Sequence, residues 1–290
     1  MLALDDLLTG SPYQGYTYAY PHKTAYRRLE APRRLAELWA RERRDALFLY
    51  LHIPFCEMRC GFCNLFTQAQ PGEGFVARYL ERLRIQAERV RAALPDAGFA
   101  RAAIGGGTPT QLSLDRLEAV FDIMREVMGA DVARVPCSVE ASPETVTAEK
   151  LALLAERCVE RVSLGVQSFI EAEVHAAGRP QRTAQVHRAL DVIRTSGMRV
   201  LNIDLIYGLP GQTEQSWRSS LEQALAYHPE EIYLYPLYVR PLTGLGRTWR
   251  QVSNLPVLGE DDAPAPEEWD DLRQLLYRAG RDCLCEAGYE

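Results

Sequence analysis

Apolar and polar positions along the chain change their period in a regular way. Ala46–His52 is a short apolar run with the length and composition of a buried strand. Phe75–Leu94 places Val76, Tyr79, Leu80, Leu83 and Ala87 at helical spacing. The same exchange then repeats. Arg101–Gly105 reads as a strand, and Leu114–Met128 as a helix with Ser113 as its N-cap. Val135–Glu140 is a strand, and Ala148–Glu156 a helix capped by Thr147. Arg161–Gly165 leads to helix Ala184–Ser196, ended by Gly197. Val200–Tyr207 leads to helix Glu214–Ala226. Glu231–Leu237 is followed by a loop rich in Pro, Gly and Asp and a last helix, Glu267–Ala287, ended by Gly288. Six successive βα units predict an α/β fold with a parallel sheet and right-handed crossovers. Six units instead of eight predict a partial (βα)6 barrel of the TIM-like type. A flavodoxin-like doubly wound sheet is the alternative, but it gives no reason for polar motifs at every strand end.

Ahead of this pattern, residues 1–45 read as an N-terminal arm and helix. Ser11–Pro21 is rich in tyrosine and broken by Pro and Gly, and Arg33–Arg44 is predicted helical. The division is therefore an arm at 1–45 and a core at 46–290.

In α/β barrels, functional groups gather at the C-terminal ends of the strands. The first strand end delivers Cys56, Cys60 and Cys63, spaced C-x3-C-x2-C. Three thiolates on one loop can grip a single small cofactor. They are one short of the four that closed zinc sites and fully ligated iron–sulfur clusters use. The residues alone leave open a zinc loop completed by a distant ligand, or three free thiols. The second strand end delivers Gly105–Thr110, whose glycines let a ligand approach the backbone. Glu140, Gln167 and Asp204 follow at the next three ends, and Tyr235 and Tyr238 at the sixth. Asp204 stands in an apolar run, where a carboxylate is costly unless it is paired or faces a ligand. Bonding a neighbouring loop is its other reading.

Four segments together give a specific resemblance: Tyr50–Cys56, Ile104–Thr110, Val162–Phe169 and Asn202–Thr213. The cysteine spacing is similar to that of the radical S-adenosylmethionine (SAM) superfamily. The four segments, in order over about residues 46–245, resemble its oxygen-independent coproporphyrinogen III oxidase branch. The resemblance implies that Cys56, Cys60 and Cys63 ligate a [4Fe–4S] cluster whose open iron takes SAM. It implies reductive cleavage of SAM to a 5′-deoxyadenosyl radical, an oxidoreductase-like activity. By the same carry-over Phe62 packs near the adenine, and Gly106, Gly107 and Thr108 meet the methionine end. Glu140 and Gln167 bind the ribose or amino-acid part, Arg179 grips the carboxylate, and Asp204 makes a further contact. Tyr50, near the sulfonium, is the catalytic candidate. The implied partners are a small substrate, with a tetrapyrrole in view, and an electron donor such as flavodoxin or ferredoxin. Two alternatives within the branch are a radical methyl- or alkyltransferase and a haem-binding chaperone without oxidase turnover. The resemblance departs at Asn64-Leu65-Phe66, where the oxidases carry a further cysteine, and the relatives continue into a C-terminal domain that this chain is expected to lack or to hold truncated.

Charge and composition narrow this little. A net charge of −6 speaks against a nucleic-acid surface, since phosphate binding needs a basic patch. No apolar run is long enough to span a membrane, and the first residues lack the features of a signal peptide. Seven cysteines, three of them clustered, fit a reducing, cytoplasmic setting better than a disulfide scaffold. Cys137, Cys158, Cys283 and Cys285 read as incidental, and His52 as a structural strand-end residue.

Overall fold

The structure, a computed structural model, describes residue 13 and residues 27–240, 243–252 and 267–290. The sheet has six parallel strands: β1 (Leu47–Ile53), β4 (Phe99–Gly106), β5 (Cys137–Ala141), β6 (Arg161–Gln167), β7 (Val200–Tyr207) and β8 (Glu231–Pro236). Their order in space is their order along the chain. A doubly wound sheet needs a reversal of strand order, and there is none. The row begins at β1 and ends at β8 and does not close, which makes it an open, partial barrel. A second, two-stranded sheet pairs β2 (Phe55–Cys56) with β3 (Gln68–Ala69) in parallel.

The main helices that follow the six strands are α2 (Glu73–Ala93), α3 (Leu114–Asp122), α4 (Ala148–Glu156), α6 (Thr183–Thr195), α7 (Glu214–Leu225) and α9 (Glu267–Glu286). Alternation along β1 shows which face they cover. Leu49, Leu51 and Ile53 are buried towards the helices, while Phe48 and Tyr50 on the other face stay exposed. Trp217 of α7 is fully buried, and its indole N–H donates to the Leu276 carbonyl at 2.8 Å, which docks α9 on α7.

Several expectations are corrected. The helix at 33–44 shrinks to α1 (Leu35–Leu38), none of whose residues is buried. A short helix without an apolar face against a core has nothing to offset its nucleation cost. The predicted helix 114–128 is α-helical only to Asp122 and widens into a π-turn at Ile123–Val127. Ser113 stands at the N-cap position, but its hydroxyl bonds Asp115 and not the backbone. Thr147 does cap α4, accepting from the Lys150 N–H at 3.3 Å. Two helices lie where loops were expected: α5 (Glu171–Ala176) and α8 (Gly244–Val252). Of the tyrosine-rich arm only Tyr13 lies within the described residues. Among those residues no helix is long and apolar enough to cross a membrane.

Candidate active site

The strand ends surround one cavity of about 660 Å³, within the range of small-molecule sites. Its wall takes residues from every strand end of the main sheet except that of β1 itself, which hands on to the cysteine loop.

That loop is fixed by backbone. At its base, β2 and β3 bring Cys56 opposite Ala69. At its crown, three glycines cross. The Gly61 N–H donates to the Gly178 carbonyl at 3.2 Å, and the Leu245 N–H donates to the Gly61 carbonyl at 2.8 Å. A Cβ on Gly61 would stand 2.6 Å from the Ala177 carbonyl oxygen. One on Gly178, whose φ is +69°, would stand 2.9 Å from the Gly61 Cα, and one on Gly244 would stand 3.2 Å from it. Only residues without side chains allow these segments to touch.

The three cysteines are partly buried, and all line the cavity. Each sulfur has a polar partner. The Thr108 hydroxyl donates to the Cys56 Sγ at 3.8 Å, an Arg179 Nη donates to the Cys60 Sγ at 3.4 Å, and the Cys63 Sγ lies 3.9 Å from the Thr67 hydroxyl. Hydrogen bonds to sulfur are one of the means by which a protein tunes thiolate-held clusters. Burial pushes the Cys56 thiol up, and the Thr108 hydroxyl works against it. Among the described residues no three His, Cys, Asp or Glu side chains are grouped as the ligands of one metal ion are.

Arg179 is anchored from behind. Its Nε donates to Gln181 at 2.9 Å and one Nη to the Gly165 carbonyl at 2.9 Å. Gln181 is itself buried and donates to the Val166 and Ser168 carbonyls. No carboxylate pairs with Arg179 among the described residues, and its guanidinium lines the cavity. Gln167 also lines the cavity, at a bulge in β6 with φ of +68°. A left-handed glutamine is strained, and such residues gather at functional sites.

Glu140 is exposed to the cavity that it lines. Burial raises its pKa, opposed by the Gly106 N–H, which donates to Oε2 at 3.0 Å. Asp204 is raised by burial too, and lowered by donors from Asn202 and Ser163. The glycines of the second motif answer mainly to protein neighbours. A Cβ on Gly105 would meet the Glu140 carboxylate at 2.7 Å, and one on Gly106 the His52 ring at 2.4 Å. One on Gly107 would meet the Phe55 carbonyl oxygen at 2.6 Å. The expected ligand approach is thus joined by a packing requirement that the sequence did not show.

Every expected site residue lines this cavity except Tyr50. Tyr50 stands lower on β1, half-exposed, with its hydroxyl 3.2 Å from the His52 Nδ1. Burial pushes its phenol to about 12, the Glu140 charge adding to this. His52 bridges outward, its Nε2 lying 3.0 Å from the Phe66 carbonyl oxygen beyond the cysteines. Sequence reasoning missed Asn202 and Ser163, which hold Asp204. Period-two alternation in Leu201-Asn202-Ile203-Asp204 puts Asn202 on the same face as the acid and is the signal that finds it.

Comparison with known proteins fits this geometry. The radical SAM superfamily signature matches residues 50–224. The chain is 35% identical to the "Heme chaperone HemW" of Bacillus subtilis over 197 residues, 67% of this chain and 51% of that protein. It is 34% identical to the "Oxygen-independent coproporphyrinogen III oxidase" of Paracoccus denitrificans over 195 residues, 66% of this chain and 42% of that protein. Among solved structures, coproporphyrinogen III oxidase (HemN) from Escherichia coli shares the fold, with a TM-score of 0.77 at 24% identity over 95% of this chain and 60% of that one. The chain spans about half the length of these curated relatives. The superfamily uses a [4Fe–4S] cluster and SAM. The cysteine loop, the open parallel barrel and the match over most of the core together place the chain in the radical SAM superfamily, beside the coproporphyrinogen III oxidases and HemW proteins.

Proposed function

We propose that the chain holds a [4Fe–4S] cluster on Cys56, Cys60 and Cys63 and binds SAM in the cavity above it, as a radical SAM enzyme. One observation supports this most. A clamped loop of three cysteines opens onto the same cavity as two carboxylates and an arginine that has no carboxylate partner among the described residues. A cluster held there would, once reduced, supply the electron for reductive cleavage of the SAM sulfonium. The protein's own part is binding and orientation. Arg179 takes the carboxylate of the ligand, and Glu140, Gln167 and Asp204 accept its hydroxyl and ammonium hydrogens. Gly106, Gly107 and Thr108 border its methionine end, and Phe62 offers a face to the adenine. Tyr50, lower on β1 and outside the cavity lining, remains the proposed residue near the sulfonium.

The names of the relatives support a tetrapyrrole as the further ligand. The radical SAM reading also requires an electron donor, for which flavodoxin or ferredoxin is proposed. A second reading is a haem-binding chaperone. It is favoured by Asn64–Phe66 in place of the oxidases' further cysteine, and by the HemW relatives. The experiment that separates the readings is incubation of the reconstituted protein with SAM and dithionite. 5′-Deoxyadenosine formation supports the enzyme. Stable haem binding with no SAM cleavage supports the chaperone. Protein purified without air is expected to hold about four irons and four sulfides per chain. Stoichiometric zinc with no sulfide after reconstitution overturns both readings.

A prediction concerns the SAM contacts. Arg179→Ala and Asp204→Ala remove charge-assisted contacts worth about 1.5–3 kcal/mol each. Both variants are expected to keep the [4Fe–4S] absorbance and to bind SAM roughly ten- to hundredfold more weakly by equilibrium dialysis. Unchanged affinity in a folded variant removes that residue from the site.

A further inference from the structure

Asp204 is held by Asn202, which does not line the cavity, and by Ser163, which does. Asn202, two positions earlier on the same face of β7, is completely buried. Its amide nitrogen donates to the Ser163 hydroxyl oxygen at 2.6 Å and to the Asp204 Oδ1 at 2.7 Å. Ser163, in register with Asn202 on β6, is also buried and gives its own hydrogen to the Asp204 Oδ2 at 3.3 Å. All three hydrogens of the pair are thereby committed, two of them to the acid.

The opposite end of the amide shows what sets its orientation. Asn202 Oδ1 is buried and has no hydrogen-bond partner among the described residues. Turning the amide over would bring that oxygen against the Asp204 carboxylate. The side chain leaves its own acceptor unmet so that the acid receives a donor, a choice that costs free energy unless the acid is ionised. Each Asp204 oxygen takes one of these hydrogens and keeps lone pairs for the cavity it lines. An ionised carboxylate presented in this way is a double acceptor, matched to two adjacent hydroxyls.

The charges around it come from three strands. Arg161 on β6 favours the ionised form but is engaged by Glu231, its Nε lying 2.7 Å from that carboxylate. Glu231 on β8 and Glu140 on β5 oppose ionisation. Burial opposes it as well. The amide and the hydroxyl are the two direct donors set against these.

We propose that Asn202 and Ser163 are positioning residues that hold Asp204 as an ionised, cavity-facing double acceptor for the vicinal hydroxyls of a ribose. This rests on the SAM-binding reading above. Without the two donors, Asp204 takes up a proton as the pH falls and stops accepting from the ligand.

The test is equilibrium binding of SAM to the full, cluster-reconstituted chain between about pH 6 and 8.5. The proteins compared are wild type, Asn202→Leu, Ser163→Ala and Asp204→Asn. Wild-type affinity is expected to stay near flat. Asn202→Leu should bind about tenfold more weakly at the upper end, a loss of one hydrogen bond to a charged group, and progressively worse towards pH 6. Ser163→Ala should move the same way by less. Asp204→Asn, which cannot ionise there, should be weak at every pH. A merely structural role would lower affinity evenly and create no slope. Circular dichroism checks the fold, and if Asn202→Leu does not fold, Ser163→Ala decides. Wild type that binds no SAM overturns the functional reading and this inference with it. Wild type that binds, with variants showing no new pH slope, overturns this inference alone.

Discussion

Alanine at Cys56, Cys60 or Cys63 is expected to reduce bound iron from about four per chain to a small residue, and to do so equally at all three positions. Two thiolates cannot hold what three hold, so the triple variant should be little worse than any single one. Residues that act as a unit are not additive. The fold should survive, because the loop is held by backbone contacts of Gly61 and by the β2–β3 pair and adds little to the barrel core. The other four cysteines supply the controls. Cys158 and Cys285 are exposed, Cys283 is half-buried, and Cys137 is buried in the sheet. None of the four lines the cavity. Their alanine variants should keep full iron, with Cys137→Ala alone losing some stability to a cavity. The measurement is iron content and far-UV circular dichroism on the seven single variants, purified without air. Full cluster content in any variant of the triplet, or its loss in one of the other four, overturns the assignment.

Arg273→Ala is expected to be the most damaging single change outside the cavity. The guanidinium is completely buried in the first half of α9. It lies between two rings, 4.0 Å from the Tyr13 centroid and 3.7 Å from that of Trp269. It also donates to Asp270 and, at 3.1 Å, to the Leu237 carbonyl. Removing it leaves the buried Asp270 carboxylate without its cation, a loss of about 3–5 kcal/mol. For a chain of this size that lowers the melting temperature by roughly 6–20 °C. Arg273→Lys keeps the charge but not the planar stack, and should fall between. Iron content per folded molecule should not change, since Arg273 does not touch the cysteine loop. A melting temperature within about a degree of wild type would mean that the stack contributes nothing.

The sheet was legible because its signal is repeated. Val200–Tyr207 was bounded correctly because valine, leucine and isoleucine alternate there with Asn202 and Asp204, and glycine ends the run at 208. The barrel could be preferred to a doubly wound sheet because polar motifs stand at every strand end. The elements that escaped have weaker local causes. In α5 only Glu173 and Val174 are buried, too few positions to set a period. The segment of α8 begins in glycine and follows proline, which reads as loop until its Leu245 N–H is seen to bond Gly61. At the site, the cysteines, Glu140, Gln167 and Asp204 could be found because each sits at a strand end. Glu173 could not. It is buried and accepts from Ser168 and Gln212, tying the loops after β6 and β7 together. That network appears only once the segments after β6 and β7 are brought together.

The crossing of Gly61, Gly178 and Gly244 bears on how the protein ages. A segment already immobilised by its own scaffold has little conformational entropy left to lose when it takes up a ligand. Where metal binding and folding are one event, losing the metal unravels the chain. Here the loop's path is set by carbonyls and amides that no metal touches. On the proposed reading, loss of a cluster from the three sulfurs is expected to leave these backbone contacts in place, so that refilling the socket requires no refolding of the chain around it.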